Sequence, residues 1–304
     1  MKNENLHRWF KGSKVVGENG QPLVVYHATT HKFFEFTRDR GNVENHFGIG
    51  YYFTDSKLDA ETNYLSEGAD ITKRIETLAE RISNNEEIDY EKAKKKAAKL
   101  LKGKHEIVLP FYLRMVNPIN VTKDKDGTRF DALETEDEET GEYVENEESL
   151  PFKLFEAIKE VSYDFYGNSI NPYDIFGGIG ERISDWDYAA AYDVDKAFRE
   201  VTSERIEDFV NEDGDIANNE FIRRVYEEMG FDGIIMDASL EFGHKRKMGR
   251  PMQMDEGTRH YIVFQSNQAK LANGKNTTFD IANPDIRYGR GGVFEQWEYS
   301  IGGL

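Results

Sequence analysis

Between residues 14 and 26, two β-forming runs, Lys14-Val15-Val16 and Pro22-Leu23-Val24-Val25-Tyr26, flank Glu18-Asn19-Gly20-Gln21. Asn-Gly between such runs predicts a tight hairpin, because both residues tolerate positive φ. The second run stops at His27, and Ala28-Thr29-Thr30 follows, which sets the imidazole at a strand end. A short aromatic strand, Tyr51-Tyr52-Phe53, comes after Gly48-Ile49-Gly50 and breaks at Thr54-Asp55; a helical turn is predicted over residues 57–64. Ile71, Ile75, Leu78 and Ile82 then recur at helical spacing behind Asp70, a candidate N-cap, and Ala93, Ala97, Leu100 and Leu101 form a second stripe. Charged residues occupy the opposite faces, so the pair reads as a surface helical hairpin. The pattern then changes to a period of two in Ile107, Leu109, Phe111, Leu113 and Met115, which predicts a half-buried strand. Asn117-Pro118 ends it and Ile119-Asn120-Val121 resumes.

Residues 131–149 are densely acidic around Glu134-Thr135-Glu136-Asp137-Glu138-Glu139 and read as a solvated excursion. Residues 150–229 read as helical, with Leu154, Ile158 and Val161 on one face and Phe221, Ile222, Val225 and Met229 on another. Asn171-Pro172 and Gly177-Gly178 interrupt them, and Gly230 is a candidate C-cap. Strands return at Asp232-Gly233-Ile234-Ile235-Met236 and His260-Tyr261-Ile262-Val263-Phe264. The order of strand, helical insert, strand, helical insert, strand predicts one α+β domain over residues 1–304. Its expected additions are a helical hairpin at 65–104, an acidic loop at 122–150 and a helical insert at 151–230.

Charge narrows the function classes. The 304 residues carry 39 Lys plus Arg against 57 Asp plus Glu, a net charge of −18. Phosphate backbones are bound through Lys and Arg, so a nucleic-acid acceptor is disfavoured and a protein acceptor preferred. With no cysteine, disulfides, thiolate metal sites and a thiol nucleophile are excluded. The polar stretch Met1–His7 lacks the apolar run of a signal peptide and no membrane-length apolar stretch follows, which predicts a cytoplasmic protein. The 7 histidines show no metal-binding spacing. Gly48-x-Gly50 is too short for a dinucleotide-binding fingerprint, and Gly177-Gly178-Ile179-Gly180 reads as a turn. The basic cluster His244-Lys245-Arg246-Lys247 with Arg250 reads as a solvated loop.

Three phrases carry candidate chemistry together. They are Val25-Tyr26-His27-Ala28-Thr29; Gly48-Ile49-Gly50-Tyr51-Tyr52-Phe53-Thr54-Asp55 with Ala60 and Asn63-Tyr64 downstream; and Tyr261-Ile262-Val263-Phe264. In this order they resemble the His-Tyr-Glu class of ADP-ribosyltransferases, which holds the poly(ADP-ribose) polymerase catalytic domains and the diphtheria-like toxins. The wider frame is similar to the ADP-ribosyltransferase domains of phage and mobile-element polyvalent proteins. Ser13-Lys14-Val15-Val16, Phe231-Asp232-Gly233-Ile234-Ile235, Phe264-Gln265-Ser266-Asn267-Gln268-Ala269-Lys270 and Asn283-Pro284-Asp285-Ile286-Arg287-Tyr288 carry that second likeness.

The resemblance implies an ADP-ribosyltransferase fold of two packed small β-sheets around an NAD⁺ cleft, in a phage-infected or other prokaryotic cytoplasm. It implies that NAD⁺ is the substrate and that ADP-ribose passes to a host protein with release of nicotinamide. His27 would orient the dinucleotide, with Ala28, Thr29 and Phe53 beside it, and Tyr52 and Tyr64 would clamp the nicotinamide ring. A flat cationic ring suits an aromatic sandwich, worth roughly 1–2 kcal/mol when desolvated. The family's catalytic Glu opens the third strand, where this chain has His260. Gln268, Gln265 or Glu256 is the expected substitute beside His260, and mono-ADP-ribosylation is the expected outcome. The alternative is a catalytically degenerate module that binds NAD⁺ or a partner without chemistry. A third reading, an RNA 2′-phosphotransferase of related fold, conflicts with the acidity.

Overall fold

A computed structural model describes residues 2–37, 50–65, 69–102, 106–122, 128–131, 134–137, 139–166, 171, 188–190, 215–238, 246–247, 250–251, 254–273 and 279–287. Phe47 to Ile49, the 177–180 glycine run, His244, Lys245 and Tyr288 lie outside them.

Seven strands make the central sheet. We number them β1 (Val25–Thr29), β2 (Tyr51–Thr54), β3 (Ile107–Leu113), β4 (Pro118–Val121), β5 (Gly233–Asp237), β6 (Arg259–Val263) and β7 (Ala269–Leu271). Their spatial order is β7-β3-β1-β2-β6-β5-β4. Every neighbouring pair is antiparallel except β4 and β5. A parallel pair needs a long crossover. Here the crossover carries α5 (Leu150–Tyr166) and α6 (Asp215–Glu228), which pack on one face of the sheet. Leu154, Ile158, Val161, Phe221 and Val225 meet Ile119, Ile234, Met236 and Ile262 there, all buried. Two residues past the end of α6, Gly230 has a φ of 85°, one that glycine adopts without strain.

No described helix covers the opposite face. Val15, Phe36 and Ile286 close it over Val25, Phe53, Leu109, Phe111, Tyr261 and Val263. The hairpin expected near its edge is short. Val16 and Pro22 form an isolated bridge, and Gly20, at φ 73°, makes the turn. Pro22 has no amide hydrogen to extend the ladder, so regular pairing waits until Val25.

Four further helices surround this core among the described residues. They are α1 (Lys2–Phe10), α2 (Lys57–Asn63), α3 (Ala69–Glu86) and α4 (Tyr90–Leu101). The pair α3 and α4 buries Ile71, Ile75, Ala79, Ile82, Ala93 and Ala97 in a core of its own. Leu100, read as part of that stripe, is 57% exposed, because the row through 93, 97 and 101 turns inward instead. The acidic 131–149 stretch, read as a loop, contains a small hairpin in which Glu134–Glu136 pairs with Tyr143–Glu145. The carboxylate of Asp137 accepts from the amides of Glu139 and Thr140 and closes its turn. Pairing puts Glu134 opposite Glu145, an arrangement that solvation of both strands permits.

Candidate active site

The sheet is two half-sheets with a weak seam. Strands β1 and β3 share five paired positions and β2 and β6 share four, whereas β1 and β2 meet at one, Tyr26 opposite Thr54. Beyond that pair the chains open into a fork bordered by His27, Ala28 and Thr29 on one side and Tyr51 and Tyr52 on the other. Gly50 precedes Tyr51 at the open end, where nothing larger fits: a Cβ there would lie 2.5 Å from Ile262 Cγ2 and 3.1 Å from the Val263 carbonyl.

His27 bridges the fork. Its Nδ1–H donates to the main-chain carbonyl of Tyr52 at 2.8 Å. A carbonyl only accepts, so the proton is on Nδ1 and Nε2 is the acceptor of the neutral ring. Rings of Phe33, Phe36, Phe53 and Phe111 surround the imidazole at centroid distances of 5.8, 5.1, 5.4 and 6.3 Å. Burial pushes its pKa down to about 4, overriding the hydrogen bond to Tyr52, and the charge of Arg74 on α3 acts in the same direction. The ring is therefore neutral at physiological pH. Just beyond it, the Thr30 hydroxyl donates to the Leu101 carbonyl at 2.8 Å and ties the end of α4 to this loop.

On the α5–α6 face of the sheet, Tyr52 lies opposite Ile262 and Thr54 lies opposite His260. Tyr52 and His260 are thus diagonal neighbours, about 7–8 Å apart by strand geometry. Helix α2 crosses above them. Ser56 caps it, accepting from the Asp59 amide at 3.2 Å and donating to Asp255 at 2.8 Å. Asp59 is wholly buried and takes His260 Nε2 at 2.7 Å and Asn63 Nδ2 at 2.6 Å. Burial alone would raise the Asp59 carboxyl, but the bonds from His260, Asn63 and Thr54 outweigh it and hold the group below its ordinary value. Tyr64, the residue that ends α2, turns its half-buried ring edge-on to His260 at 6.1 Å. A half-buried aromatic pair therefore flanks a buried imidazole–carboxylate pair.

A family model described as ADP-ribosyltransferase in polyvalent proteins matches residues 17–279. The chain belongs to this family. Neither a curated protein nor a solved structure matches it. The mixed seven-strand sheet with its helices is consistent with an ADP-ribosyltransferase fold.

In this member of the family the anticipated site residues are not all brought together. Tyr52, Tyr64 and His260 come together on one face. His27 joins them only through the Tyr52 carbonyl, since its ring lies with Phe53 on the other face. Ala28 pairs with Val108 inside β1 and has no positive φ, so alanine fits where the family phrase has glycine. Thr29 uses its hydroxyl locally, donating to the His31 carbonyl at 3.0 Å.

Two expectations are corrected. Phe53 is 3% exposed and packs in the core, so it walls the imidazole of His27 rather than lining a surface for a ligand. Gln268 is consumed by the fold. Its Oε1 accepts from the amides of Phe264 and Gln265 at 3.1 and 2.7 Å, and its Nε2 donates to the carbonyls of Arg114 and Asp232 at 3.1 and 2.8 Å. Gln265 donates to Glu227 at 2.7 Å on an exposed surface, and Glu256 is exposed in the turn before β6. The residue missed by pattern reading is Asp59. The available signal is an acid beside Ala60, one helical turn before Asn63, on the inward side of a short helix. Among the described residues no group of three His, Asp or Glu is arranged to hold a metal ion, and no helix is long and apolar enough to cross a membrane.

Proposed function

We propose that the protein cleaves NAD⁺ and transfers ADP-ribose to a single site on a protein acceptor, as a mono-ADP-ribosyltransferase. The observation that carries the reading is the cluster of Tyr52, Tyr64 and His260 at the fork of the sheet, with the neutral His27 bridging that fork. The two phenol rings supply faces for the cationic nicotinamide ring. Neutral His27 supplies Nε2 as an acceptor for a ribose hydroxyl, which a charged imidazolium would not do. In the reaction the C1′–N bond breaks and its electron pair passes to the ring nitrogen, so nicotinamide leaves neutral. The acceptor's nucleophilic atom bonds to C1′ and its proton is released. The surface charge of −18 favours a basic protein acceptor over a nucleic acid. We place it in a prokaryotic cytoplasm, in a host of phage or mobile elements, on the likeness of its sequence phrases to the polyvalent-protein domains.

The test is incubation of the protein with NAD⁺ and cell lysate, followed by mass spectrometry of modified proteins and quantification of nicotinamide. Tyr52→Ala should lower nicotinamide release by about tenfold or more, matching the loss of one ring face. Tyr52→Phe should stay near the parent rate. Calorimetric binding of NAD⁺ with no nicotinamide released would instead favour a binding module.

A further inference from the structure

We infer that Asp59 is the acid of the site, acting through His260. This rests on the transferase reading above. Departure of nicotinamide leaves positive charge on the ribosyl ring, as in glycoside cleavage, and such a transition state needs fixed negative charge nearby. Near Tyr52 and Tyr64, Asp55 and Asp59 are carboxylates that hydrogen-bond to residues of β6. The first is committed to the strand: Asp55 accepts from the Arg259 amide at 2.9 Å and from the Tyr261 hydroxyl at 3.3 Å, and burial raises its pKa. Asp59 differs in both respects. It is held ionised, and its strongest partner is an imidazole on the same face as Tyr52.

The pair has the right chemistry for the role. The ionised Asp59 carboxylate accepts only, so the proton between the two groups is on Nε2 of His260. Asp59 thereby sets a negative charge against the residue that stands where the family's acid is expected. As the C1′–N bond breaks and the acceptor bonds to C1′, that charge lowers the cost of the ribosyl cation, and the acceptor's proton passes to water. A carboxylate bonded to an imidazole in this way also fixes its tautomer and orientation. Asp59 is thus a positioning and charge-supplying residue, and His260 is the group that meets the substrate. Asn63, by holding the other carboxylate oxygen at 2.6 Å, sets the angle of the pair.

The experiment compares Asp59→Asn, which keeps size and an acceptor oxygen, with the double variant Asp59→Asn/His260→Glu, which moves the acid onto β6. Three quantities are measured on the full chain: melting temperature, calorimetric Kd for NAD⁺, and kcat for nicotinamide release in lysate. Asp59→Asn should lose about 10²–10³-fold in kcat while Kd changes little, and the double variant should recover to within about tenfold of the parent. A merely structural role would shift melting and Kd and would not be rescued by a carboxylate at 260. Parent-like kcat in Asp59→Asn overturns the inference, as does a folded, NAD⁺-binding double variant that stays slow. If Asp59→Asn does not fold, the double variant decides alone. A parent protein that releases no nicotinamide, whether or not it binds NAD⁺, overturns the transferase reading beneath, whereas the outcomes above overturn this inference with that reading intact.

Discussion

Acidification should destabilise this protein through His27 in particular, and the size of the effect follows from its environment. The imidazole ionises near 6.5 in an unfolded chain and at about 4 in the fold, where burial disfavours the charged form. The folded pKa is depressed, so below 6.5 the unfolded chain binds the extra proton first and folding stability drops as pH falls. The contribution is complete above pH 6.5, about 2 kcal/mol of it is gone near pH 5, and about 3 kcal/mol near pH 4. The assay is the urea midpoint of the parent and of His27→Asn between pH 7.5 and 4. Asparagine keeps a donor for the Tyr52 carbonyl but cannot titrate, and it loses the ring packing against Phe33 and Phe36, so its curve starts lower. Carboxylates titrate in both proteins and cancel in the difference. The gap between the two curves should close by about 2 kcal/mol between pH 7 and 5. Parallel curves would refute the claim that the ring is buried neutral, and with it the assignment of Nε2 as a ribose acceptor.

Other expectations follow from single contacts. Gln268→Ala removes an amide that satisfies four backbone groups, so about 2–4 kcal/mol of stability should be lost. Thermal melting measures this, and any variant that remains folded should keep its Kd for NAD⁺. Gly50→Ala forces a methyl to within 2.5 Å of Ile262 and pushes β2 away from β6, the strand that carries His260. It should cost about 1–3 kcal/mol in melting experiments and slow nicotinamide release as well. Leu100→Lys replaces a side chain already in solvent and should change stability by no more than about 0.5 kcal/mol.

Alternation and helical spacing made most of this architecture legible. The period of two from Ile107 to Leu113 becomes β3, and the run from Gly233 to Met236 becomes a strand buried on both faces. His27 and Tyr52 stood out because each lies where a strand meets small or glycine residues. The same alternation separates Tyr52 from Phe53, and taking both as ligand contacts ignored it. What was illegible depended on distant partners. Asp59 and His260 are 201 positions apart, and neither carries a local mark of the other. Gln268 looked available because two of its four hydrogen bonds reach distant segments, at Arg114 and Asp232. The pairing inside the acidic stretch was hidden by composition, since nothing in a run of glutamates marks where Asp137 will cap a turn.

The phrase that begins at Asn283 lies past the family match, which ends at residue 279, yet it holds the surroundings of His27 in place. Buried Lys270 on β7 donates to the carbonyls of Asn283 and Asp285, the latter at 2.7 Å. The next residues reach the loop after β1: the Ile286 amide donates to the Phe34 carbonyl at 2.8 Å, and the Arg287 guanidinium lies 3.6 Å over the Phe34 ring. That loop holds Phe33 and Phe36, two walls of the His27 cage. A fragment cut immediately after β7 would therefore retain every strand of the sheet while releasing the loop that walls the histidine ring. The boundary of the working unit falls at this distal strap, some fifteen residues past the last strand (β7 ends at Leu271 and the strap runs to Arg287).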